Sequence, residues 1–96
     1  MANEKDSKQI QIELKPELAQ GTYANLAFLT HSSSEFILDF IAMLPGMTKA
    51  EVKSRVIMTP EHVKRLLFAL QDNVQKYEAQ FGNINLQPNQ QQEGPR

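Results

Sequence analysis

Residues 23–44 hold the longest apolar stretch of the chain, cut once by His31-Ser32-Ser33-Ser34. Two runs rich in aromatic and branched side chains, joined by turn-forming serines, read as a β-hairpin. Such a hairpin must cover at least one sheet face, and the register decides which. With residues 32–34 as a three-residue loop, His31 faces Glu35, Phe28 faces Leu38 and Leu26 faces Phe40. Leu26, Phe28, Phe36, Leu38 and Phe40 then form a wholly apolar face, because side chains alternate along a strand. The other face carries Tyr23, Asn25, Ala27, Leu29, Ile37, Asp39 and Ile41. A two-residue loop sets Phe28 opposite Asp39 and mixes the faces, so the three-residue loop is the expectation.

Around this hairpin the remaining elements follow in order. Residues 1–8 are polar and charged and are expected to be disordered. Ile10, Ile12 and Leu14 alternate with Gln11, Glu13 and Lys15, which predicts a first, half-buried strand ended by Pro16. Residues 17–22, with Gly21, make the turn into the hairpin. Pro45-Gly46 is a further turn, and residues 47–51 fit a loop or one helical turn. Val52, Ser54, Val56 and Met58 alternate with Lys53, Arg55 and Ile57, a fourth strand. Thr59-Pro60-Glu61 then opens a helix, with Thr59 as N-cap, Pro60 in the first turn and Glu61 at the positive helix end. Val63, Leu66, Leu67, Leu70, Val74, Tyr77 and Phe81 fall on one stripe, and Gly82 stands where a C-cap belongs. The expected fold is α+β: a four-stranded antiparallel sheet followed by one long C-terminal helix packed on one face. Residues 9–82 form the single domain, and residues 83–96, with two prolines and Gln90-Gln91-Gln92, form a disordered polar tail.

Bulk properties exclude more than they assign. A net charge of −1 gives no electrostatic case for nucleic acid or an anionic membrane. The absence of cysteine removes disulfides and thiolate metal sites, and suits a reducing compartment. No apolar signal core follows the polar start, and residues 36–44 are half a membrane span and contain Asp39. A cytoplasmic protein is expected.

The residues at odds with a plain core are few. Asp39, within an apolar strand, needs a partner or water; Arg55 on the fourth strand and His31 at the hairpin end are the available cations, and Asp39 with Arg55 is the candidate structural polar pair. His31, Glu35 and Asp39 lack a converging third group, His62 lies in the first helical turn, and no metal, cofactor or catalytic site is expected. The serine run is ordinary turn material. Phe68 points away from the helical stripe, among Glu61, Lys64, Asp72 and Gln75. With Tyr23, Leu29, Ile37 and Ile41 it forms the candidate interface, since one helix cannot cover both faces of a sheet and a second copy of the chain can. Lys49, Lys53, Arg55, Lys64 and Arg65 make a modest basic patch tempered by Glu51 and Glu61.

Tyr-Ala-Asn at 23–25, His-Ser-Ser-Ser-Glu-Phe at 31–36, Leu-Asp-Phe at 38–40, Ser-Arg-Val at 54–56, Thr-Pro at 59–60 and Tyr-Glu-Ala-Gln-Phe-Gly at 77–82 carry a resemblance. Over residues 10–84 the chain resembles a family of short bacterial proteins classed as a domain of unknown function. The resemblance implies a bacterial cytoplasmic protein and brings no activity, cofactor or catalytic residue. In element order alone it is also similar to the SecB-type export chaperone, a fold-level analogy without a shared motif. The expected function is a non-catalytic, small oligomeric protein-interaction module, a homodimer or higher homo-oligomer. The alternatives are a chaperone-like binder of extended peptides through exposed grooves or sheet edges and, behind it, a nucleic-acid-binding protein.

Overall fold

The computed structural model describes residues 10–87. A single helical turn, α1 (Pro16–Ala19), precedes three strands, β1 (Leu26–His31), β2 (Phe36–Ala42) and β3 (Glu51–Met58), and a 22-residue helix, α2 (Pro60–Phe81). The strands form an antiparallel meander, β1-β2-β3. The α+β class and the C-terminal helix are as the sequence predicts. The first strand is not: residues 10–15 adopt no regular structure, and Ile10, Ile12 and Leu14 are exposed. Alternation marks a segment able to pair but does not make it pair: β1 and β3 are both edge strands, and none of the described residues pairs with this segment. Pro16 begins a helical turn there, a position suited to its missing N–H. The expected disorder of residues 1–8, and of the glutamine run in the tail, falls outside the described residues.

The hairpin uses the tighter loop. His31 faces Phe36, Leu29 faces Leu38 and Phe28 faces Asp39. The Ser32 N–H donates to the Glu35 carbonyl at 2.9 Å, and Ser32 Oγ accepts from the N–H groups of Ser34 and Glu35 at 3.1 and 3.3 Å. The Ser32 hydroxyl thus satisfies donors that the turn leaves without a backbone partner, favouring a two-residue loop at Ser33-Ser34. Every side chain of β1 changes face relative to the expected register. One face carries Ala27, Leu29, His31, Phe36, Leu38, Phe40, Ser54, Val56 and Met58; the other carries Leu26, Phe28, Ile37, Asp39, Ile41, Val52, Arg55 and Ile57. Mixing costs less than the sequence argument assumes, because Asp39 is satisfied sideways by Arg55 rather than across by β1.

A bulge at Lys53 shifts the β2–β3 register, so Phe40 faces Ser54 while Ile41 faces Val52. Val52 therefore leaves the face of Ser54, Val56 and Met58, against simple alternation. Asn25 extends the ladder beyond β1: its side-chain amide donates to the Met43 carbonyl at 2.9 Å and accepts from the Met43 N–H at 2.8 Å. Leu44-Pro45-Gly46-Met47 closes as a turn with Gly46 at φ +83°, where a side chain would be strained.

Thr59 alone links β3 to α2. Its Oγ1 accepts from the His62 N–H at 3.2 Å, and Gly82 (φ +97°) ends the helix with its N–H on the Glu78 carbonyl. Glu61–Arg65 and Asp72–Lys76 form the expected i,i+4 pairs. The expected packing along the sheet is not formed: no residue of α2 is buried. Among the described residues, the buried hydrophobic side chains are Leu38, Ile41 and Ala42, all on the central strand.

Candidate self-association surface

Leu38, Ile41 and Ala42 are enclosed because β2 alone has a strand on each side. Outside β2 no side chain is fully buried, though Leu26, Val56, Met58, Val63 and Leu66 are half-buried among the described residues. Twenty large hydrophobic side chains are exposed among the described residues, which sets this chain apart from a monomer with a few scattered apolar positions.

Thirteen of them fall into three zones. The first is the irregular segment of Ile10, Ile12 and Leu14. The second is the sheet, where Phe28, Leu29, Val52 and Ile57 are open to solvent. The third is the length of α2, with Leu67, Phe68, Leu70, Val74, Tyr77 and Phe81 exposed. Where α2 leaves the sheet, Phe36, Pro60, Val63, Lys64 and Leu67 line an open, almost wholly apolar cleft of about 440 Å³. Farther along, Leu70, Gln71, Val74 and Gln75 border a second depression. The Tyr77 and Phe81 rings, one turn apart, lie with centroids 4.9 Å from each other.

The expected interface residues are not brought together as one patch. Ile37 shares a face with Ile41, whereas the shifted register moves Leu29 to the opposite face. Ile41 is 5% exposed and belongs to the protomer's own core, a correction to its place in an accessible interface. Tyr23 precedes β1 and is exposed, and Phe68 is 56% exposed on α2. Phe68 is no exception on its helix, because Leu67, Leu70, Val74, Tyr77 and Phe81 of the stripe assigned to the sheet are exposed as well, while Val63 and Leu66 are half-buried. That stripe and the Phe36 cleft are what the sequence reading missed as surface; the available signal was the length of the stripe, which extends well past the end of a short strand.

Asp39 and Arg55 stand directly opposite each other on β2 and β3. The guanidinium grips the carboxylate through Nε–Oδ1 at 2.6 Å and Nη2–Oδ2 at 2.9 Å, a bidentate pair. Asp39 is the more enclosed partner, 13% exposed against 59% for Arg55. The hydrogen bonds from Arg55 hold the Asp39 carboxyl below its ordinary value of 3.8, against the smaller opposing effect of burial. The same bonds push Arg55 further up. Both groups stay charged across the physiological range, so the pair orders the sheet and has no proton to give.

Other polar groups do not converge. His31 lies against Phe36, ring centroids 5.3 Å apart, rather than against Glu35. Among the described residues no group of three or more metal-ligating side chains occurs, and no helix is long and apolar enough to cross a membrane. Of the basic patch, Lys53, Arg55 and Arg65 are paired with Glu51, Asp39 and Glu61, leaving little unbalanced positive charge.

Residues 1–86 match the family described as "Protein of unknown function (DUF3467)". No curated protein and no solved structure matches the chain.

Proposed function

The chain belongs to the DUF3467 family, and we propose that it is a cytoplasmic, non-catalytic interaction module that works as a homo-oligomer. One observation carries this reading: a 22-residue helix with an apolar stripe and no buried residue. Helices in water draw most of their stability from packing an amphipathic face, so a face of this length calls for a partner. The thin core around Leu38, Ile41 and Ala42 calls for the same. A second copy supplies the missing surface without invoking any other component.

Association coupled to folding makes stability depend on chain concentration. The melting temperature is expected to rise as the chain is concentrated from micromolar upward. Leu70→Asp, which sets a charge in the middle of the exposed stripe, is expected to remove that dependence. Thermal melts over a hundredfold concentration range decide it; a wild-type melting temperature that stays constant contradicts the proposal.

A further inference from the structure

The apolar residues of α2 have a spacing more specific than a stripe. Val63, Leu67, Leu70, Val74, Tyr77 and Phe81 follow one another at intervals of four, three, four, three and four. That is a heptad seam carried without interruption along the helix, the pattern that packs against another helix rather than against a sheet.

The seam is also self-complementary when reversed. Laid against an antiparallel copy, Val63 meets Phe81, Leu67 meets Tyr77 and Leu70 meets Val74 of the second copy, and each contact recurs by the two-fold. Six layers fill, with large residues facing smaller ones at both ends. The flanking positions on one side read Lys64, Gln71 and Glu78. In the antiparallel arrangement Lys64 faces Glu78 of the second copy, and Gln71 faces Gln71. Parallel pairing stacks Tyr77 on Tyr77 and Phe81 on Phe81, and brings no opposite charges together. Among the described residues Lys64 has no ion-pair partner, and Glu78 uses one carboxylate oxygen, Oε2, to accept from the Ile84 N–H at 2.9 Å, leaving Oε1 open.

The cleft supplies an independent observation. It opens beside Val63 and Leu67, the seam residues that an antiparallel copy would bring against Phe81 and Tyr77. Its lining by Phe36, Pro60 and the stem of Lys64 suits an aromatic ring.

We propose that α2 pairs antiparallel with α2 of a second copy of this chain, seating the second copy's Phe81 beside Phe36 and Pro60 and Lys64 against its Glu78. This rests on the self-association proposed above and specifies its geometry. Each chain then closes the other's cleft, and the two sheets stand at opposite ends of the helix pair.

The chain has no cysteine, so introduced thiols report cleanly. Chains carrying Leu70→Cys are mixed with chains carrying Val74→Cys and oxidised. The expected result is a covalent dimer in the mixture at many times the yield of either variant alone. Equal or higher yield from either variant alone means parallel pairing and overturns the proposal. In parallel, Lys64→Glu is expected to raise the dissociation constant roughly three- to tenfold, the range for two exposed ion pairs lost together. Glu78→Lys does the same, and the double exchange restores the wild-type value. These surface changes leave the seam intact, so unchanged dissociation constants in both single variants overturn the proposal even if the cysteine chains misfold. A wild-type dimer that forms no cross-link in any combination overturns the helix pairing and leaves self-association standing; a wild-type monomer overturns both.

Discussion

Asp39 shows how one polar residue is held in an apolar strand. Its two hydrogen bonds to Arg55 satisfy the carboxylate along the sheet, so Phe28 can stand opposite without leaving a bare charge. Because the folded-state pKa lies below 3.8, the carboxylate's contribution to stability is fully present above the unfolded value of about 3.9. It is lost as pH falls through the lower folded value. Asp39→Asn should therefore lower the melting temperature most at neutral pH, and the gap to wild type should narrow as pH falls below about 4. A gap that widens in acid contradicts the pairing. Thr59 acts at the same scale: its hydroxyl caps α2 at the only residue between β3 and the helix. Thr59→Ala is expected to cost about 1 kcal/mol, read by chemical denaturation, and Thr59→Ser to recover most of it.

At the scale of elements, local chemistry was legible and partnership was not. The start and end of α2 follow from Thr59, Pro60 and Gly82, and both intrahelical ion pairs follow from spacing alone. The Asp39–Arg55 pair is readable because Asp39 is the one charge on β2 and Arg55 is the cation of β3 that stands opposite it. The hairpin register does not follow from face purity alone, because the Ser32 hydroxyl favours the tighter turn. Alternation at Ile10, Ile12 and Leu14 marks a segment able to pair as a strand, but the described fold leaves it unpaired. The helical stripe was read correctly as apolar and assigned to the wrong neighbour. Periodicity near 3.6 says that a face will be buried, whereas the four-three spacing from Val63 to Phe81 speaks for a helix as the partner.

For the whole molecule, the decisive imbalance lies between a small interior and a large apolar exterior. Leu38, Ile41 and Ala42 anchor the sheet, while most of the helix stripe, the Phe36 cleft and the irregular segment remain open in the single chain. On the reading proposed above, such a chain would reach a covered core by assembling with a second copy, and the outer surface of that assembly would be the part left for other partners. The measurement that tests this most directly is absolute mass by light scattering behind a sizing column, from micromolar to hundreds of micromolar chain. The account predicts at least twice the 10.9 kDa of one chain, persisting until dilution dissociates it. A mass of 10.9 kDa at every concentration would contradict it.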